Sequence, residues 1–485
     1  MKIDLYNQKN LTMLTDFYEL TMSNGYFENG LKDRIAVFDM FFRKVPDGAG
    51  FAIFAGLEQL VEYISSIKFT EEDITYLREK KLFSEAFLAY LRDFKFECDV
   101  WSVREGTPVF PNEPLFVVRG PIIQAQLIET MVLLSLNFQS LVATKANRIT
   151  RAAQGRQVFE FGSRRAQSYD AAIYGARAAY IGGCHATACA IADRDYHIPA
   201  VGTMAHSWVQ VFDSEYESFA AYAKLYPDHC TLLVDTYNTI KSGVPNAIKV
   251  FNEILLPNGH KPVGIRIDSG DIAYLSKKAR KMLDDAGFDY VKIIASNSLD
   301  EQIIRDLLQQ GACIDSFGVG ENLITSKSDP VFGGVYKIVA TYEDGDYVPK
   351  IKISESVEKI TNPHYKKLYR LYNKETHQPI ADYITIHDEV LDSSKPLTIF
   401  DPVAIWKAKT LENFEVREML EPVFEKGKLV YKLPELADIR SYCLEQIDEL
   451  WDEIKRFENP HRYYVDLSER LWDQKNLLLS NISSL

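Results

Sequence analysis

From about residue 150 to 340 the chain repeats one pattern: a short apolar run, a polar stretch, then a segment with apolar positions at helical spacing. The runs are Val158–Phe161, Ala179–Ile181, Ala200–Gly202, Thr231–Val234, Val263–Ile267, Val291–Ala295 and Ile314–Val319. Such alternation predicts parallel strands joined by crossover helices. A succession of this length favours a barrel over an open sheet. An open doubly wound sheet is expected to carry a glycine-rich nucleotide fingerprint after its first strand, and Phe161-Gly162-Ser163-Arg164-Arg165 is not one. The predicted fold class is therefore α/β, a barrel of about seven parallel strands.

The flanks read differently. Ile35–Phe42 and Trp101–Val118 are β-rich and enclose an acidic helical stretch, Thr70–Phe94. Gln124–Ala153 reads as one long helix into the barrel, with Leu127, Met131, Leu134 and Leu141 at core spacing. After residue 340 the rhythm weakens, prolines and lysines recur, and a helix-rich tail is expected around Leu436–Phe457. The expected domains are 1–130 (α+β), 131–345 (barrel) and 346–485, the last partly folding back on the first. No repeat of fixed period and no low-complexity segment interrupts this organisation.

Polar residues follow the apolar runs rather than precede them, which is where a barrel keeps its chemistry. The most informative stretch is Val263-Gly264-Ile265-Arg266-Ile267-Asp268-Ser269-Gly270-Asp271. Strand alternation puts Val263, Ile265 and Ile267 on one face and Gly264, Arg266 and Asp268 on the other. A guanidinium beside a carboxylate suits a phosphorylated or carboxylated substrate, with a surface salt bridge as the bland alternative. Asp271 then opens a helical pattern, Ile272–Leu283, as a first-turn carboxylate would.

Composition narrows the partners. A chain of 485 residues with 46% hydrophobic content can bury a large core. No run approaches the roughly 18 apolar residues of a membrane span, and Met1-Lys2-Ile3-Asp4 lacks the form of a signal peptide, so a cytoplasmic protein is expected. A formal charge of −13 argues against nucleic-acid or anionic-membrane binding but leaves room for anionic small molecules at clustered arginines. The cysteines, Cys98, Cys184, Cys189, Cys230, Cys313 and Cys443, form no CxxC pair, so neither a zinc site nor a disulfide framework is signalled, and buried thiols are expected.

Several residues have two readings at this point. His206 follows Gly202-Thr203 and serves as general base, metal ligand, nucleophile or satisfied core histidine. Zinc is disfavoured, since His185 and His197 stand at no ligand spacing from it. Arg164 and Arg165 would face opposite ways in an extended segment, leaving one for a shared site. Gly318-Val319-Gly320, with Ser296 and Ser298, can cradle a phosphate, although glycines also close ordinary turns. Asp235 and Asp268 can share a ribose diol or a magnesium ion, or cap helices.

Taken in order, Thr15-Asp16-Phe17-Tyr18-Glu19-Leu20-Thr21-Met22, Glu160-Phe161-Gly162-Ser163-Arg164-Arg165, Gly202-Thr203-Met204-Ala205-His206-Ser207, Val234-Asp235-Thr236-Tyr237, Ile265–Asp271 and Gly318-Val319-Gly320 closely resemble the nicotinate phosphoribosyltransferase family. Phe38-Asp39-Met40-Phe41-Phe42-Arg43 and Glu105-Gly106-Thr107 extend the match into the first domain. Each motif is modest alone; their ordered co-occurrence is specific.

The resemblance implies a type II phosphoribosyltransferase, an irregular α/β barrel with an α+β domain built from the amino-terminal and later segments, acting as a homodimer with a shared active site. Nicotinate and phosphoribosyl pyrophosphate would give nicotinate mononucleotide and pyrophosphate, coupled to ATP hydrolysis, in NAD salvage. By family motif His206 would be phosphorylated by ATP, and Asp235 and Asp268 would hold ribose and stabilise positive charge. Tyr18, supplied by the other subunit, and Phe161 would offer aromatic faces to the pyridine ring. Arg266 with Thr203 would meet its carboxylate, and Arg164, Ser296, Gly318 and Gly320 would face phosphates. Magnesium would enter mainly with the pyrophosphate rather than through a protein cage.

Some positions depart from the family pattern. Cys184-His185 and Ala188-Cys189 stand where other residues are commoner, which bears on base preference; Asn238 and Asn297-Ser298 replace more usual acidic or serine pairs. The nearest rival is a nicotinamide phosphoribosyltransferase. A metal-dependent barrel hydrolase or lyase using Asp235, Asp268 and Asp271 is the rival from another class, and a non-catalytic nucleotide-binding paralogue is a third.

Overall fold

The apolar runs of the middle of the chain form a parallel sheet in the computed structural model, which describes residues 10–354 and 359–482. Its strands are β1 (Gln157–Glu160), β2 (Ala186–Thr187), β3 (Thr231–Leu233), β4 (Gly264–Ile267), β5 (Lys292–Ser296) and β6 (Ser316–Val319), in the order β2-β1-β6-β5-β4-β3. Every neighbouring pair is parallel. The first strand pairs with the last, Val158 opposite Phe317 and Glu160 opposite Val319, which is the closure a barrel requires. Beyond β2, Ala200 bridges Thr187 in parallel. Among the described residues no ladder joins Ala200 to β3, so the barrel is irregular and has an open seam.

Two expected strands are not there. Ala200–Gly202 forms only the single bridge at Ala200. Ala179–Ile181 is the end of a helix, Tyr169–Ile181, and the strand that follows is Ala186–Thr187. A short apolar run carries no period of its own, and here the alanines, the best helix formers, make a buried helix face instead. Arg164 and Arg165 also depart from expectation: Ser163–Arg165 is a single 3₁₀ turn, not an extended segment, and both arginines are exposed.

The chain divides into two compact units, Val142–Pro330 and a composite of Met1–Leu141 with Val331–Leu485. The divisions fall at 141/142 and 330/331 rather than near 130 and 345. The composite unit is centred on Ile35–Phe41, which pairs antiparallel with Phe116–Pro121 on one side and Val335–Glu343 on the other, within a seven-stranded sheet. Phe38 stacks on Tyr336 with ring centroids 5.0 Å apart. Asp39 pairs with Lys366 at 2.8 Å, both buried.

The expected fading of pattern after residue 340 conceals a strand-rich region. Lys366–Asn373 and Pro379–Ile386 pair with Phe414–Glu418 and Val465–Leu467, and the α-helices among the described residues here are Leu436–Glu449 and Glu469–Ile482. Phe414–Glu418 and, in a separate two-stranded sheet, Ala408–Leu411 are largely exposed, so they lack the continuous apolar runs of the barrel.

Gln124–Ala153 resolves into helices Ile122–Leu127 and Glu129–Ala152. Leu127, Met131 and Leu141 are buried as expected, but Leu134 is 50% exposed. By length and composition Ile122–Ala152 could cross a bilayer, yet 67% of its most apolar window is buried within the fold, which makes it a core helix. All the cysteines are free thiols; Cys313 is half-buried and the other five are buried.

Candidate active site

The carboxyl ends of β3, β4 and β5 bring together the residues singled out by their position after apolar runs. Along β4 the alternation holds: Ile265 and Ile267 are fully buried, whereas Arg266 and then Asp268 lie half-buried on the other face. Asp271 caps the next helix, Ile272–Asp285, accepting from the Tyr274 N–H at 2.9 Å. That bond accounts for it structurally.

Arg266 is held at three points. Its Nε donates to Ser296 Oγ at 2.8 Å, one terminal nitrogen to Thr203 Oγ1 at 3.2 Å, and the other to Asp268 Oδ1 at 2.7 Å. A guanidinium has five N–H groups, so two remain for an outside acceptor. The same guanidinium lies 5.6 Å from the centroid of the Phe161 ring. A cation over an aromatic face, with donors to spare, fits a flat anionic ligand.

Asp268 accepts from Arg266 and Ser296 through Oδ1, and its Oδ2 lies 3.7 Å from His206 Nε2. Burial alone would raise its pKa, but the Ser296 hydroxyl, the Arg266 guanidinium and His206 outweigh it and hold the carboxyl below the usual range. Asp235 binds the loop after β4, accepting from the Asp268 N–H at 2.9 Å and the Ser269 hydroxyl at 2.6 Å through one oxygen. Its other oxygen is buried and has no partner among the described residues. Neither aspartate caps a helix, which removes the bland reading of both.

His206 begins the helix His206–Gln210 and its side chain is 39% exposed, so it is not a core histidine. Its Nδ1 is 3.1 Å from Thr236 Oγ1. Beyond Ser296, Asn297 and Ser298 both adopt left-handed backbone, φ 97° and 43°, and Asn322 donates to the Ser298 carbonyl at 2.9 Å. Consecutive non-glycine residues in this region are strained conformations held by their surroundings.

Gly318 is required by close approach: a Cβ there would stand 2.5 Å from the Phe161 ring. At Gly320 a Cβ would meet the Phe161 carbonyl oxygen at 3.1 Å, and Gly320 precedes the short helix Glu321–Ile324. Arg164 is exposed in the turn after β1. Tyr18 belongs to the composite unit, on helix Phe17–Glu28, where it is 48% exposed. Burial, then Glu129 and Glu19, push its phenol pKa up.

Two contributors escaped the sequence reading. Glu160, fully buried at the end of β1, accepts from the Thr187 hydroxyl at 2.7 Å and from the Gly162 N–H, pinning the turn that carries Phe161. A carboxylate inside Val158-Phe159-Glu160-Phe161 was the available signal. Thr236, the partner of His206, gave none, because a threonine after a strand is ordinary.

Sequence profiles of the nicotinate phosphoribosyltransferase N-terminal domain, family and C-terminal domain match residues 13–137, 156–368 and 365–475. The nicotinate phosphoribosyltransferase of Bacillus subtilis is 45% identical over 479 residues, covering 99% of this chain and 97% of that one. The chain belongs to the nicotinate phosphoribosyltransferase family. The family member from Dictyostelium discoideum is 36% identical, covering 97% of this chain and 88% of its own. The crystal structure of human nicotinic acid phosphoribosyltransferase superposes with a TM-score of 0.83 at 28% identity, over 96% of this chain and all of that one. A nicotinate-nucleotide pyrophosphorylase from Pyrococcus furiosus, at 23% identity and a TM-score of 0.70, shares the fold.

Proposed function

We propose that this member of the family joins nicotinate to phosphoribosyl pyrophosphate, giving nicotinate mononucleotide and pyrophosphate, with ATP hydrolysis coupled through a phosphohistidine at His206. It would act as a cytoplasmic homodimer in NAD salvage, each site completed by Tyr18 of the partner subunit. The observation that carries the reading is Arg266, with two N–H groups unspent, lying over the Phe161 ring beside Asp268 and Asp235.

Nicotinate is a flat anion. Its carboxylate suits the free edge of Arg266, and Phe161 offers a face for its ring. The ring nitrogen attacks C1′ of the ribose as the C1′–O bond to pyrophosphate breaks, and the electron pair leaves with pyrophosphate. Positive charge grows on the sugar at that moment, and Asp268, held ionised, and Asp235 are the anions available to stabilise it. The unpartnered oxygen of Asp235 suits a ribose hydroxyl. Exposed Arg164, with Gly318 and Gly320 at neighbouring strand ends, would meet phosphate groups, whereas the Ser296 hydroxyl, expected there too, is spent on Asp268 and Arg266.

Two carboxylates fit a magnesium ion that is bound mainly through pyrophosphate oxygens, since this ion keeps most of its octahedron for water and phosphate. When bound it would neutralise charge on the leaving group. Among the described residues no group of three or more His, Cys, Asp or Glu forms a cage for it.

With a proton on Nδ1 shared with Thr236, His206 keeps its Nε2 lone pair for the γ-phosphate of ATP. Phosphorylation would then set a new anion against Asp268, now 3.7 Å from Nε2. Repulsion there would loosen the Asp268–Arg266 pair and so link ATP hydrolysis to the substrate clamp.

The test is a base-selectivity assay with phosphoribosyl pyrophosphate, ATP and magnesium. Nicotinate mononucleotide should form, with nicotinate preferred; preference for nicotinamide at equal concentration would overturn the assignment. His206→Ala should abolish ATP hydrolysis and the phosphoenzyme while leaving some uncoupled transfer, and phosphohistidine persisting in that variant would remove the role given to His206.

A further inference from the structure

The composite unit contains a cavity of about 800 Å³ whose described lining comes entirely from its own residues, with none from Val142–Pro330. That volume is within the ~300–1,000 Å³ of small-molecule sites. Its charge is one-sided. Arg43, Lys44, Arg462 and Lys475 line it, and no Asp or Glu is among the described lining residues, in a chain whose net charge is −13. None of the four forms an ion pair among the described residues. Arg462 is felt electrostatically by Asp401 and Asp466, but neither carboxylate is part of the described wall.

Among the described residues Lys475 donates to a neutral acceptor, Asn362 Oδ1 at 2.8 Å. Burial, and then the charge of Lys366, lower its pKa to about 8, so an anion beside it would relieve an unfavourable environment. The wall is also short of acceptors: Arg43 Nε and Asn476 Nδ2 are buried without a hydrogen-bond partner.

An aromatic side completes the cavity. Trp472 is fixed by its indole N–H donating to the Pro402 carbonyl at 3.0 Å. Tyr463 stacks on Phe110 at 3.8 Å between centroids, and its hydroxyl donates to the buried Asp382 at 2.9 Å. These anchors hold the rings in place before any ligand arrives. Clustered cations without counter-ions select a multiply charged anion, and a fixed aromatic wall selects a planar group.

We propose that this cavity binds a nucleotide, its phosphates held by Arg43, Lys44, Arg462 and Lys475 and its base against Trp472, at a site built from none of the residues of the strand-end site. Binding of ADP to the full-length protein is followed by quenching of tryptophan fluorescence, with Trp472→Phe identifying the responding ring. Lys44→Glu with Arg462→Glu, both exposed positions, should weaken this binding about tenfold or more while the basal rate with nicotinate stays unchanged. Undiminished affinity in that double variant, or a quench that survives Trp472→Phe unaltered, would overturn the site. Inorganic tripolyphosphate binding as tightly as ADP would overturn the assignment of a nucleotide. Lys475→Gln probes the same wall if the double variant does not fold.

Discussion

Arg370 and Asp382, in the composite unit, are 1% and 0% exposed and meet in a two-point pair at 2.7 and 2.8 Å, whereas Arg266 and Asp268, in Val142–Pro330, meet at 2.7 Å with the carboxylate side chain still 28% exposed. The first pair is closed off from water. Tyr463 donates to the same carboxylate, Arg370 also donates to the Pro108 carbonyl at 2.9 Å, and burial, then Asp382, hold the neighbouring Glu113 carboxyl well above its usual pKa. The second pair keeps unspent donors on Arg266 and a free Asp235 oxygen nearby. The same two residue types thus stabilise a fold in one place and stand ready for a ligand in the other. Each guanidinium donates three hydrogen bonds within the chain, so the difference is how far the fold closes the pair off from solvent.

The composite unit has reason to pair the charges it buries. Asp39 and Lys366, or Pro108 and Arg370, are joined from segments more than 200 residues apart. Closing so long a loop is entropically costly, and a buried charge left alone is worse than none. The barrel needs less of this at its strand ends, because consecutive strands are neighbours along β3, β4, β5 and β6. Its buried group of Lys145 and Arg148 on Glu301 lies on helices instead.

The largest effect should come from Arg370→Ala, which strands Asp382 in the core. Urea unfolding should show a loss of about 3–5 kcal/mol, with turnover of the remaining folded protein little changed. A loss below about 1 kcal/mol would mean that the buried pair does not hold the segments together.

Arg266→Ala should do the reverse. Removing a charged donor at a reacting site costs about 10²–10³ in rate, and kcat/KM should fall by that order while the melting temperature moves little. A variant that lost stability but kept its kcat/KM would erase the contrast between the two arginines.

A smaller change is expected from Gly318→Ala. The new methyl group must displace the Phe161 ring, a strain of about 1–3 kcal/mol, and the KM for nicotinate should rise more than that for phosphoribosyl pyrophosphate. An equal rise for both substrates would separate Phe161 from the base pocket.

The smallest is Ser296→Ala. Because the pKa of Asp268 is lowered in the fold, its stabilising contribution is present above the ordinary aspartate range and is lost as pH falls through the lowered value. Without the Ser296 hydrogen bond that loss should begin at higher pH. Acid titration of stability, or the acid limb of kcat/KM, should therefore move upward; no movement would leave Ser296 without this electrostatic role.

Much of this contrast could be read before folding on one side and little on the other. The strand-end residues were legible because β4 alternates faces and the polar positions follow apolar runs: Arg266, Asp268, Asp235, Thr203 and Ser296 are all found in one hydrogen-bonded group. Ala179–Ile181 misled because an apolar triplet has no period. Glu160 and Thr236 were passed over because their value lies wholly in what they touch. The strands after residue 340 were hidden because exposed positions in Ala408–Leu411 and Phe414–Glu418, and the buried charges Lys366, Arg370 and Asp382 in Lys366–Asn373 and Pro379–Ile386, break the apolar text.

By itself, then, the order of apolar runs determined a parallel α/β unit and the end of it that bears chemistry, since strand period and connection rules are local. The motifs along it determined the family. Only the tertiary structure decided that Ile35–Phe41 would lie between Phe116–Pro121 and Val335–Glu343, that Gly318 would exist to admit the Phe161 ring, and which charges would be satisfied and which left open. Those outcomes depend on contacts between residues far apart in the chain, and no local period or propensity encodes them.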